Sequence, residues 1–184
     1  MEQFPQLTLI LGGARSGKSD YAEKLAATVG RRILYIATAE AKDEEMAARI
    51  EAHRLARSAE WQTLEAPRNV GATLSAIDTC PDALLLDCMT LLVSNIALAM
   101  ESEPQAAIEA AVQSEIEAII THQTRLNIPL IIVSNEVGLG LVPSHPIGRV
   151  YRDVLGRANQ KLAAQADRVL FMVAGLPMTV KDQS

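Results

Sequence analysis

The chain has 184 residues, a length for one domain over residues 1–184 rather than two, and enough to bury roughly 70% of its unfolded surface without disulfide or metal support. Hydrophobic residues make up 49% and charged residues 21%, which excludes a disordered chain, and the net charge of −5 argues against a dedicated nucleic-acid binder. Aromatics supply only 3%, so the core must be aliphatic and rich in alanine. Cys80 and Cys88 match neither a CxxC redox motif nor a usual zinc spacing, and read as reduced thiols of a cytoplasmic protein. The sequence shows no basic-then-apolar secretory leader. Its most apolar stretch, Leu91 to Met100, is far short of the ~20 residues that span a bilayer.

In chain order, Leu7–Leu11, Ile33–Ala37, Leu84–Leu86, Leu130–Val133 and Val169–Val173 are continuous apolar runs of strand length. Unbroken apolarity suits a strand covered on both faces, as in a parallel sheet. Helical patterns lie between them. Ser19–Val29 puts Ala22, Leu25, Ala26 and Val29 on one face and stops at Gly30, read as a left-handed cap. Asp43–Arg57 is highly charged, with Met46 and Ile50 as its apolar stripe. Gln105–Arg125 spaces Ile108, Val112, Ile116, Ile119 and Ile120 helically, and Ile147–Ala166 does the same with Val150, Val154, Leu155, Ala158 and Leu162. Alternating strands and helices predict an α/β fold of the phosphate-loop type, a mostly parallel sheet flanked by helices. Residues around Lys42, Pro67–Asn69, Glu101–Pro104 and Gly138–Pro146 read as loops.

The strongest chemical signal is Gly12, Gly13, Ala14, Arg15, Ser16, Gly17, Lys18 and Ser19, a complete GxxxxGK[ST] motif between a strand and a helix. Glycines let successive backbone N–H groups curl around phosphate oxygens, and the helix N-terminus adds partial positive charge. Lys18 is placed to reach the β- and γ-phosphates, and the Ser19 hydroxyl to ligate Mg²⁺. A nucleoside triphosphate is the expected ligand. Asp87 ends the run Leu84–Leu86, where ligands of open α/β sheets bind, so it reads as a carboxylate acting on Mg²⁺. The competing reading is an Asp capping the next helix.

His53 falls on the stripe of Met46 and Ile50. That position suits a structural histidine, but Arg49, Arg54 and Arg57 on neighbouring turns could clamp phosphates beside its imidazole. His122 reads as a solvated helix position and His145 as a loop residue. No NKxD motif is present to read guanine; the nearest candidate, Ser134 to Val137, lacks the lysine and the aspartate. The phosphate loop and Asp87 alone leave two functions open: a small nucleoside or metabolite kinase, and a nucleotide-gated binding or regulatory module.

The segments GGARSGKS (12–19), YIATAEAKDEEMAARIEAHR (35–54), LLLDCMTLLVSN (84–95) and LIIVSNEVGLGLVPSHPIGRVYRDVLGRANQKLAAQADRVLFMVAG (130–175) are similar, in order, to another pattern. They resemble the bifunctional adenosylcobinamide kinase/adenosylcobinamide-phosphate guanylyltransferases of cobalamin biosynthesis. RIxxHxxxRxxxWxTxE, running from Arg49 to Glu65, and SNEVGxGxVP (134–143) make the resemblance family-specific. It implies two reactions on a corrinoid substrate. A nucleoside triphosphate, ATP or GTP, phosphorylates the hydroxyl of the cobinamide aminopropanol arm. GTP then passes GMP through a covalent histidine, giving adenosylcobinamide-GDP and pyrophosphate. The resemblance makes His53 the guanylylated residue and adds Ala37, Thr38, Ala39, Arg54, Leu55, Ala56, Arg57, Glu65 and Asp87 to the phosphate loop as nucleotide contacts. It also implies a homotrimer. One departure is visible: Ser58 follows Arg57 where the family often has Pro.

Overall fold

The computed structural model describes residues 4–40, 44, 48, 51, 58–77 and 79–183. The five apolar runs form strands β1 (Leu7–Gly12), β2 (Ile33–Ala37), β4 (Ala83–Asp87), β5 (Leu130–Asn135) and β6 (Arg168–Val173). Two further strands, β3 (Gln62–Glu65) and β7 (Leu176–Asp182), close the edges. All seven join one sheet in the order β3-β2-β4-β5-β1-β6-β7. Every pairing is parallel except the β6–β7 hairpin. The carboxyl ends of β1 to β6 therefore share one edge of the sheet, the edge where open parallel sheets bind ligands.

Helices cover both faces. α1 (Lys18–Val29) packs Ala22 and Ala26 against Ile10, Leu85, Ile131 and Val133 on one face. On the other lie α2 (Val70–Ser75), α3 (Met89–Ala99), α4 (Gln105–Leu126) and α5 (Pro146–Gln165). Their core is Leu9, Ile36, Leu84, Leu86 and Ile132 against Leu92, Ile116, Leu155 and Leu162. Alternate strand residues thus serve opposite cores, which is why the strands read as unbroken apolar runs. α4 stops at Asn127, whose left-handed backbone (φ 52) lets its N–H reach Thr124 O at 3.1 Å. α5 opens on Pro146, where a missing N–H costs no helical bond. Among the described residues no helix is long and apolar enough to cross a membrane.

Three expectations need correction or lie beyond what is described. Gly30 is not a left-handed cap: its backbone is fully extended (φ −177), which any residue adopts. Glycine is needed there for space, because a Cβ would collide with the Asp82 side chain. That carboxylate accepts the N–H groups of Arg31 at 3.0 Å and Arg32 at 2.9 Å. His122 is not solvated. It is buried in α4 with Arg125 Nη2 at 3.1 Å from its Nδ1, and burial, then the charge of Arg125, lowers its pKa. Of the expected helix at 43–57, Glu44, Ala48 and Glu51 are helical and exposed, and the other positions lie outside the described residues.

Candidate nucleotide site

β1 delivers the chain to the ligand edge and Gly12 turns it. Its φ of 154 and the absence of a side chain are both required, since a Cβ would stand 2.7 Å from Met172 O and from Ser16 Oγ. The loop then folds on itself, with Ser16 N–H donating to Gly13 O at 3.3 Å. Arg15 (φ 57) and Gly17 (φ 87) are both left-handed, a backbone form that lets successive N–H groups converge on an anion. Gly17 is also the N-cap of α1, so the positive end of that helix faces the loop.

The second wall is a hairpin far away in sequence. Ala174 (φ 50) and Gly175 (φ 82) make the two-residue turn between β6 and β7, both left-handed as a tight hairpin requires. Gly175 N–H donates to Ser16 O at 3.0 Å, and its Cα would lie 3.2 Å from a Cβ at Gly17. The motif did not point to this brace; the Ala-Gly pair ending an apolar run was its only sequence signal.

Lys18 is buried at the base of the loop and folds over it, Nζ donating to Gly13 O at 2.5 Å and Ser16 Oγ at 3.4 Å. Burial lowers its pKa, while Cys88 and the carboxylate of Asp87 act in the opposite direction. Asp87 therefore lies within electrostatic reach of the ammonium. It ends β4 opposite Ala37, and Tyr35 Oη donates to its Oδ2 at 3.1 Å. The helix-capping reading of Asp87 fails, because the N-cap of α3 is Cys88 and no side chain caps that helix. The thiol of Cys88 is pushed up to about 11, by burial first and the charge of Asp87 second. It is thus a neutral thiol at physiological pH.

The rest of this edge is held by side chains. Thr38 is buried; its hydroxyl donates to Cys88 O at 2.7 Å and accepts from Cys88 N–H at 2.8 Å. Its N–H donates to Asp87 O, and Asn95 Nδ2 bridges Thr38 O and Pro67 O at 2.9 and 3.0 Å. Thr38 thus ties β2 to the β4–α3 junction. Ala37 pairs with Glu65 of β3, and Ala66 N–H donates to Ala37 O at 2.9 Å, so Ala37, Glu65 and Asp87 end adjacent strands. Ala39 follows Thr38 in the chain, half-buried. Ser58 closes a turn by accepting Trp61 N–H on its carbonyl at 3.1 Å and Glu60 N–H on its hydroxyl at 3.3 Å. A serine can hold the turn in this way where the resemblance favours Pro. His53, Arg54, Leu55, Ala56 and Arg57 lie outside the described residues.

Between the two halves runs β5. Asn135 ends it beside Gly12, and Glu136 N–H donates to Gly12 O at 3.0 Å. Thr90 Oγ1 accepts Asn135 N–H at 2.7 Å, Asn159 Nδ2 donates to Asn135 O at 3.0 Å, and Ser134 Oγ donates to Asn159 Oδ1 at 2.7 Å. Asn159 had no motif to mark it, though a polar residue on the buried stripe of α5 was its trace. Among the described residues no group of three or more His, Cys, Asp or Glu could hold a metal. Ser19 and Asp87 offer one hydroxyl and one carboxylate, a hard-oxygen set that fits Mg²⁺ held mainly by phosphates and water.

Residues 8–180 match the family model described as CobU, cobinamide kinase / cobinamide phosphate guanyltransferase. Two curated relatives carry the name bifunctional adenosylcobalamin biosynthesis protein CobU. The one from Salmonella typhimurium is 41% identical over 95% of this chain and 99% of its own length, and that from Escherichia coli is 38% identical over the same shares. The bifunctional adenosylcobalamin biosynthesis protein CobP of Pseudomonas aeruginosa is 46% identical over 95% of this chain and 97% of its own. Among solved structures, a RadB recombinase superposes with a TM-score of 0.50 at 13% identity, covering 90% of this chain and 73% of that one. At that identity the likeness shows the fold alone.

Proposed function

The chain belongs to the cobinamide kinase/cobinamide phosphate guanyltransferase family, and on that premise we propose that its single phosphate loop serves both reactions. In the first, the γ-phosphoryl group of ATP or GTP moves to the hydroxyl of the cobinamide arm. In the second, an imidazole nitrogen of His53 attacks the α-phosphorus of GTP, the bond to the β-phosphate oxygen breaks, and pyrophosphate leaves. The phosphate of the acceptor then attacks the resulting phosphoramidate, and reprotonation of the ring helps the P–N bond break.

The observation that carries this reading is Lys18, buried under a glycine loop with the carboxylate of Asp87 in electrostatic reach. Both reactions expel a polyphosphate, and one pre-placed ammonium can stabilise either leaving group. Mg²⁺, held by Ser19, Asp87 and the phosphates, would supply further charge neutralisation. Glu65 and Ala37 lie on the half of the edge that begins at Asp87, and we assign that half, with Ala39 and Arg54–Arg57, to the nucleoside. We assign the self-association face to the β6–β7 hairpin, where Leu176, Met178 and Val180 are exposed on the edge strand β7 and Val173 at the end of β6. A trimer is the assembly the resemblance implies.

α-Labelled GTP tests the covalent step. The wild type should retain GMP after denaturation through an acid-labile, base-stable bond, and His53→Asn should lose that label while still phosphorylating adenosylcobinamide. Persistent labelling of His53→Asn would place the nucleophile elsewhere.

A further inference from the structure

The segment Ser134–Pro143 has no task in the scheme above, yet it borders a cavity of about 480 Å³. Leu11, Glu136 and Gly138 form one wall; Arg152, Gly156 and Gln160 of α5 stand on the other. The cavity adjoins the phosphate loop directly, since Leu11 precedes Gly12 in β1 and Glu136 N–H is bonded to Gly12 O. Leu11 packs with the core on the α5 face, so the cavity opens on the face of the sheet opposite α1.

Its charges balance, Arg152 and Arg157 against Asp153 and Glu136, so the lining offers no net charge to a second polyphosphate. Both arginines of the lining are committed, Arg152 to Asp153 Oδ1 at 3.0 Å and Arg157 to Glu109 Oε2. Glu136 adds a negative charge, and its Oε1 is fixed by the Gly138 N–H at 2.6 Å. An anion would enter at a cost, whereas an uncharged group bearing hydroxyl and amide functions would not. The volume suits a short arm and is too small for a corrin ring with its amides. Gly156 leaves room for that arm: it interrupts a 20-residue helix, where glycine is a poor choice, and a Cβ built on it meets nothing within 4 Å.

We propose that this cavity receives the hydroxyl-bearing arm of the acceptor and that Glu136 is the catalytic base of the kinase step; the inference rests on the kinase reading above. A lone pair of the arm's hydroxyl oxygen forms the new bond to the γ-phosphorus. The bond from that phosphorus to the β–γ bridging oxygen breaks, its electrons remaining on the departing nucleoside diphosphate. The hydroxyl proton passes to the Glu136 carboxylate and from there to water. Self-guanylylation of the enzyme needs no acceptor and so should not depend on the cavity.

Two variants, each assayed for phosphorylation of adenosylcobinamide and for GMP labelling from α-labelled GTP, test this. Glu136→Gln keeps an oxygen for the Gly138 N–H and removes the base. Its phosphorylation kcat should fall about 10²–10⁴-fold, with labelling within about twofold of wild type. Gly156→Leu fills the cavity from a position with open space, and should raise the KM for adenosylcobinamide by at least about tenfold, again with labelling kept. Unchanged phosphorylation in either variant overturns the proposal. So does an equal loss of both readouts, which would mean that Glu136 only shapes the phosphate loop through Gly12. A wild type that fails to phosphorylate adenosylcobinamide would instead defeat the kinase reading itself.

Discussion

Along the ligand edge, the half built on β1 grips with main chain, whereas the half built on β4, β2 and β3 is assembled from side chains. Gly12, Arg15, Gly17 and Gly175 shape the first through backbone angles and close approach. Tyr35, Thr38, Asn95 and Asp87 shape the second through hydrogen bonds that cross strands. A phosphate presents the same oxygens whatever nucleoside carries it, so peptide N–H groups suffice to hold it. Distinguishing a base or placing a metal needs groups of specific reach and charge, and these come from side chains. Damage to the first half should therefore abolish both reactions, and damage to the second should change requirements rather than remove activity.

The harshest way to break this division is Gly12→Ala. Its Cβ would meet a main-chain oxygen, Met172 O, at 2.7 Å, which no rotamer change relieves. Both activities should drop by roughly a thousandfold or more, and thermal melting should show a lower midpoint. Lys18→Ala comes next: it removes the ammonium but not the loop. Steady-state kinetics should show kcat/KM falling about 10²–10³-fold for both reactions alike. A loss confined to one reaction would mean that the two use separate phosphate sites. Asp87→Asn should act differently, raising the Mg²⁺ concentration for half-maximal rate about tenfold while the far-UV spectrum and melting curve hold.

A control lies away from the edge altogether. Burial, then Arg125, holds His122 below its ordinary value of 6.5, so the unfolded chain takes up a proton there before the folded one does. The stability this group contributes is whole above pH 6.5 and is lost as pH falls toward its lower folded value. Denaturant titrations from pH 7.5 to 5 should show that slope, and His122→Gln should flatten it without changing nucleotide affinity.

How much of this the residues disclosed depended on where each feature gets its stability. The five interior strands were readable because each is buried on both faces, as Leu84–Leu86 is. β3, with the sequence QTLE, and β7, with LPMTVKD, are mostly exposed edge strands held by main-chain pairing, so neither carries an apolar signature. α3 lacks a readable pattern for the opposite reason: seven of its eleven residues are buried, which blurs any amphipathic period. The phosphate loop was legible because its chemistry is contiguous. Thr38, Asn95 and Asn159 act through partners tens of residues away, and the burial of His122 on α4 is likewise a tertiary fact. The need for glycine at position 30 comes from space beside Asp82, which lies in another segment, so the local helix-end pattern points to the wrong cause.

The contact between Gly175 and Ser16 separates possessing the motif from possessing its function. GGARSGKS spans residues 12–19, yet one wall of the pocket it forms is supplied by Gly175, which is synthesised only after nearly all of the sheet. A product ending before Gly175 would keep every letter by which the phosphate loop is recognised and would lack the hairpin that holds it in shape. In a chain still being synthesised, tight triphosphate binding should appear only after the hairpin has emerged, so binding reports arrival of the hairpin rather than presence of the motif.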